Sequence, residues 1–273
     1  MTEPASSPSA AAAPPLPYPG RMVEMGAPDN DSVRAIRQRL NQMGCGPLPA
    51  DGAFDAPLRD AVKLFQARFS DGDGHSLEVD GRVGPITWAS LFGTASVPVS
   101  TAAPSPLLSG VLDFAATQIG VREDPLGSNR GPQVDEYVRS VGGDPAEGLA
   151  WCAAFVYFCF DKAAAALGRA NPVIRTAGVI DHWNKAGQRK IPRVLQADAV
   201  HDPSLVQPGF IFILSSGGGH GHTGLVAEVL PGKLVTIEGN TNEGGSREGI
   251  GVFRRDRRQI ADITRGFIDY SQL

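Results

Sequence analysis

"LAWCAAFVYFCF", residues 149–160, is the stretch on which the fold turns. From Trp151 onward it is apolar almost all round, and charge returns only at Asp161. A helix with that pattern is buried, so other elements must cover it. It begins just after a Gly-containing loop, which places Cys152 in its first turn. Backbone N–H groups there lack helical partners, and the helix dipole favours an anion, a setting that populates a thiolate. Cys159 lies two turns deeper, without that help, and reads as a small core residue.

The elements that cover this helix follow from the flanking sequence. Upstream, "LSGVLDFAATQIGV" has helical spacing. Downstream, "GFIFILSS", "TGLVAEVL", "KLVTIEGN", "GIGVFRRD" and "ITRGFIDY" are short runs rich in β-branched and aromatic residues, separated by turns such as "LPGK" and "NTNEGGSREG". Helices followed by antiparallel strands predict an α+β domain, its helices packed on one sheet.

A thiolate nucleophile needs a base, and the chain has five histidines. His75 lies far upstream, His182 in a helical pattern, His201 in a loop and His220 in the Gly-rich "SSGGGHGHTG". His222 immediately precedes an apolar strand, so a rigid sheet can hold its ring, and it is the expected base. "TIEGN" ends the next strand, and either Glu238 or Asn240 is expected to orient the imidazole. The Gly-rich loop runs into a strand and lacks the lysine of a phosphate loop. H-x-H with one distant thiol lacks zinc-site spacing, so no metal or other cofactor is expected. "RRDRR", residues 254–258, reads as a solvated hairpin turn.

Two breaks in composition divide the chain of 273 residues. "MTEPASSPSAAAAPPLPYPG" reads as a disordered tail, residues 1–20, without the basic and apolar regions of a secretory signal. "TASVPVSTAAPSPLLS", residues 94–109, reads as an extended, flexible linker, assigned to 96–108. Residues 21–95 then form one domain and residues 109–273 another. In the first, Val33, Ile36, Leu40 and Met43, then Leu58, Val62, Phe65 and Phe69, form two helical stripes. "DGAFDAPLRDAV" and "DGRVGPITWASL" echo each other, each a D-G turn leading into a helix.

That first domain resembles the small peptidoglycan-binding domain of wall hydrolases, through the Val33/Leu40 helix, "DGAF", "AVKLFQ" and "VDGRVGPITWASLF". Leu58 and Cys45 depart from it, standing where a Thr and an aromatic are usual, at positions expected to line the ligand groove. Residues 109–273 resemble the CHAP domain, a cysteine- and histidine-dependent amidohydrolase/peptidase related to NlpC/P60 enzymes and papain-like in fold. "NRGPQVDEYV", "WCAAFV", "GHTGLVAEV" and "TIEGN" carry the resemblance, with Phe210 replacing the acid of a common turn. It implies Cys152 as nucleophile, His222 as base, and Glu238 or Asn240 as orienter.

Together the resemblances imply a modular, endolysin-like peptidoglycan hydrolase, an endopeptidase or N-acetylmuramoyl-L-alanine amidase. The rivals are a wall-binding protein with an inactive catalytic domain and a cysteine amidase or acyltransferase acting on a small molecule. Asn129, Tyr137, Trp151, Asp80 and Trp88 are expected to contact substrate. A net charge of −4 and a pI near 5.7 argue against nucleic acid as a partner. No run approaches the roughly 18 to 20 apolar residues that span a bilayer. Three cysteines make no disulfide framework. The expected state is a monomer, made in the cytoplasm and reaching the wall by lysis or dedicated secretion.

Overall fold

The computed structural model describes residues 16–242 and 249–273. Most of the expected tail, and residues 243–248 of the "NTNEGGSREG" turn, lie outside the described residues.

The N-terminal domain is built on three helices, α1 (Asp31–Gln42), α2 (Ala56–Arg68) and α3 (Pro85–Phe92). Asn30 caps α1 by accepting from the Val33 N–H at 3.0 Å, and Asp55 caps α2 through the Leu58 N–H at 3.0 Å. Val33, Ile36, Leu40, Leu58, Val62, Phe65 and Trp88 fill one core. The two D-G turns place Gly52 and Gly81 at φ 109° and 78°, a region that favours glycine. Leu16 and Tyr18 pack onto this domain: Tyr18 meets Trp88 edge-on at 5.8 Å, and the Trp88 indole donates to the Leu16 carbonyl at 3.1 Å.

The C-terminal domain has α4 (Pro106–Thr117), α5 (Pro132–Ser140), α6 (Cys152–Ala166), α7 (Val179–Gln188) and α8 (Gln196–His201). Its strands are β1 (Arg193–Leu195), β2 (Ile211–Gly217), β3 (His220–Leu230), β4 (Lys233–Thr241), β5 (Gly251–Gln259) and β6 (Gly266–Ile268). They form one sheet in the order β1-β6-β2-β3-β4-β5, antiparallel throughout. The five expected strands all form, and the short β1 adds an edge. The helix that opens at Cys152 is buried as its composition requires, with Phe155, Cys159 and Phe160 fully shielded. At Gly239 a Cβ would lie 2.6 Å from Phe155 and 2.7 Å from Trp151, so glycine lets β4 press against α6.

The "RRDRR" stretch is not a turn: it runs through β5. The segment between the domains lies along the sheet, where Ser100 and Val229 exchange backbone hydrogen bonds of 3.0 and 2.8 Å. Nearby, the Lys233 ammonium of β4 reaches Asp71 and Asp73 of the N-terminal domain, the latter at 2.7 Å.

Candidate active site

Cys152 is the first residue of α6 and is 4% exposed. His222, in β3, is 5% exposed. Its Nε2 lies 2.8 Å from Glu238 Oε2, while its Nδ1 is buried without a hydrogen-bond partner. Burial opposes charge on this ring, but Cys152 and Glu238 outweigh it and hold the imidazole pKa above its ordinary value. With Nε2 taken by Glu238, Nδ1 is the nitrogen left for the thiol. A buried polar atom without a partner is uncommon, and this one belongs to the ring whose charge Cys152 and Glu238 favour. Cys159, by contrast, is fully buried, and burial pushes its thiol pKa well up.

Strand register explains how Glu238 reaches the ring. Leu225 pairs with Ile237, so Gly224 sits opposite Glu238 and His222 lies on the diagonal, within reach of a long side chain. At Gly224 a Cβ would lie 2.9 Å from Glu238 Cγ and 2.8 Å from the Phe212 ring. Glycine there leaves the carboxylate its path.

Glu238 itself is fully buried and heavily held. Thr236 Oγ1 donates to Oε1 at 2.5 Å. Arg258 donates to both oxygens, Nε to Oε1 at 2.8 Å and Nη2 to Oε2 at 2.7 Å. Arg255 adds its charge at 3.7 Å. Burial raises a carboxyl pKa, but His222 and Arg258 reverse that and hold Glu238 well below the carboxylate range. Two of the arginines read as solvated are thus turned inward. Arg255 and Arg258 are three apart, and plain alternation would send them to opposite faces. β5 carries an extra residue between the pairs Thr236–Arg255 and Leu234–Arg258, and this bulge brings both to one carboxylate. No local sequence pattern announces a bulge.

Asn240 turns to Asn129: its φ of 53° breaks the strand's alternation, and its amide donates to Asn129 Oδ1 at 2.7 Å. Asn129 in turn donates to the Gly148 carbonyl at 3.0 Å, so it ties together the loops beside the site. Tyr137, expected at the cleft, is a core residue: its ring packs on Trp151, Phe155 and Phe158, and its hydroxyl donates to Gln118 at 2.8 Å. Val134, Tyr137 and Val138 stand at helical spacing, the signal that identifies them as a buried stripe. Trp151 is fully buried, and its indole donates to Glu123 at 2.9 Å.

In the N-terminal domain Trp88 is likewise core, with no exposed ring face for a sugar. Asp80 braces its turn, accepting from Gln66 and from the Arg82 N–H, each at 2.8 Å. Leu58 and Cys45 are buried, so neither lines a groove. Among the described residues, the group with metal-ligand geometry is Asp71, Asp73 and His75, whose two carboxylates hold Lys233.

Two family models match the chain. Residues 29–91 match a peptidoglycan binding domain, and residues 144–240 match the CHAP domain. No curated protein and no solved structure matches. The first match covers α1 to α3, and the second runs from before α6 through Cys152, His222, Glu238 and Asn240. The chain is therefore modular, a peptidoglycan-binding domain followed by a CHAP domain.

Proposed function

We propose that the C-terminal domain cleaves an amide bond in the peptide part of peptidoglycan, with Cys152 as nucleophile, while the N-terminal domain holds the enzyme on the wall. The two domains support a peptidoglycan hydrolase in general. The observation that carries the cysteine mechanism is the buried His222 imidazole, fixed by Glu238 at one nitrogen and close enough to the helix-start Cys152 for the two side chains to interact.

The raised imidazole pKa favours a resting imidazolium beside Cys152, and the thiolate form of a cysteine is the nucleophile. Cys152 Sγ attacks the amide carbonyl, and the C=O electrons move onto oxygen. First-turn N–H groups of α6, oriented by the helix, receive that oxyanion. As the intermediate collapses, His222 Nδ1 gives its proton to the leaving amine and the C–N bond breaks. The now neutral imidazole takes a proton from water, whose oxygen attacks the thioester and returns the thiolate. Glu238 holds the ring orientation through both steps. Tethering to a wall-binding module raises the local concentration of cleavable bonds.

The test is mass spectrometry of digested peptidoglycan. Cys152→Ala should abolish release of fragments while the protein still pellets with walls. Cys159→Ala should keep turnover and lose on the order of 1 kcal/mol of stability. Turnover that survives Cys152→Ala would overturn the mechanism. New amino termini within the peptides support peptide cleavage, and free stem peptides with unsubstituted glycan would move the cut to the sugar junction.

A further inference from the structure

The site does not stop at a third residue. Cys152, His222, Glu238 and Arg258 come from α6, β3, β4 and β5, four elements that meet at one spot. Each oxygen of Glu238 receives two donors: Oε1 takes Thr236 and Arg258 Nε, and Oε2 takes His222 and Arg258 Nη2. The guanidinium that makes the fork is itself shielded, its side chain 10% exposed. Its Cζ lies 4.9 Å above the Phe212 ring, and that ring is 6.0 Å from the His222 ring. Phe212 is therefore a shared wall that fixes both cations relative to the carboxylate between them.

We propose that Arg258 is a positioning residue of the catalytic centre, fixing the plane and the charge of Glu238 and, through it, the orientation of the His222 imidazole. The inference rests on the cysteine mechanism above. A fully buried carboxylate with only an imidazole for company would be expensive to keep ionised. With Arg258 in place, thiolate, imidazolium, carboxylate and guanidinium alternate in sign, and the Arg255 guanidinium stands 3.7 Å from Glu238 Oε1 as a further cation. Without it, Glu238 keeps only the more distant Arg255 cation and loses two of its four donors, so its carboxyl takes up a proton more readily. A protonated Glu238 no longer stabilises the imidazolium, so the working state is lost at a higher pH than in the native enzyme. The fork matters separately from the charge: two parallel N–H···O bonds fix the carboxylate plane, which a lysine ammonium cannot do.

Two readouts test this. The first is the pH profile of iodoacetamide alkylation at Cys152, read by peptide mass spectrometry, which needs no wall substrate. Arg258→Gln should move the acid limb of that profile upward by about one pH unit or more. Arg258→Lys should restore the limb. The second is turnover on soluble wall fragments. Both variants should lower kcat by about 10²-fold with little change in KM, the cost of a displaced catalytic group. Adding Arg258→Gln to Glu238→Gln should cause almost no further loss, since one residue acts through the other. A native protein inert to alkylation at Cys152 would overturn the thiolate reading and this assignment with it. Normal native alkylation with a superimposable Arg258→Gln profile would overturn this assignment alone, as would full additivity with Glu238→Gln. Arg258→Lys guards against a folding failure: it keeps the buried charge paired, so its kcat remains readable even where the glutamine variant does not fold.

Discussion

At the scale of single residues, an atom that is missing matters as much as those present. Gly224 lies opposite Glu238, and an added methyl would stand 2.9 Å from the glutamate Cγ and 2.9 Å from the Ile237 carbonyl. Neither neighbour can move freely, because Glu238 is forked by Arg258 and Ile237 is held in the sheet. Gly224→Ala should therefore destabilise the domain by about 1–3 kcal/mol, the usual range for overpacking. Its larger effect should be on turnover, since the displaced side chain is the one aimed at His222. Thermal melts and kinetics on the same preparation check this: a variant that melts earlier yet keeps native kcat would show that Glu238 has room the register denies it.

At the scale of elements, α7 and the chain's C-terminal segment are joined through His182 and Tyr270. His182 Nε2 and the Tyr270 hydroxyl are 2.9 Å apart and buried. Burial lowers the His182 pKa from 6.5 to about 4, so the folded protein keeps the ring neutral where the unfolded chain would protonate it. The unfolded state then binds more protons between those two values, and stability falls as pH drops from about 6.5 toward about 4. The full effect is of order 3 kcal/mol. Denaturant melts across that range should show a steeper acid loss in the native protein than in His182→Gln. Parallel curves would remove this pair from the acid response.

The same scale shows why some of the molecule can be read from its sequence and some cannot. The five strands and α6 announce themselves because each carries a short run rich in apolar, β-branched or aromatic residues, with turn residues between the runs. The placement of Cys152 at a helix start and of His222 and Glu238 in neighbouring strands is legible because helix starts and strand runs are local features. Arg258 is invisible because its direction depends on a bulge in the pairing of β4 with β5. Asn240 misleads for a related reason, a positive φ that no alternation rule anticipates. Tyr137, Trp151 and Trp88 mislead because an aromatic beside a polar loop resembles a ligand contact, whereas here each packs inward and gives its polar atom to Gln118, Glu123 or the Leu16 carbonyl.

At the scale of the whole molecule, the two domains meet at the end of the sheet formed by the β3–β4 turn. Gly232, in that turn, approaches Ile86 so closely that a Cβ would stand 2.5 Å from its Cγ1. Lys233 beside it is clamped between Asp71 and Asp73. Burial opposes ionisation of Asp71, but Lys233 and two backbone N–H groups bring its pKa down to about 2. The clamp is therefore intact at neutral pH and loosens only as pH falls from about 3.8 toward about 2. Lys233→Ala should release the domains from each other: the radius of gyration in X-ray scattering should rise, and proteolysis in residues 97–106 should quicken. Scattering and cleavage that match the native protein would assign docking to the Ser100–Val229 pairing and the apolar contacts instead.

The placement of Arg258 on β5 also has a consequence during synthesis. The ribosome delivers the thiol first, then the imidazole, then the carboxylate, and the guanidinium last. A domain of this kind folds as a unit once its final strands are out. A nascent or prematurely stopped chain thus carries Cys152, the proposed nucleophile, without the Arg258 guanidinium. On the mechanism proposed above, fragments that end before β5 should therefore turn over far more slowly than the full chain, since they lack Arg258 and the strand that carries it.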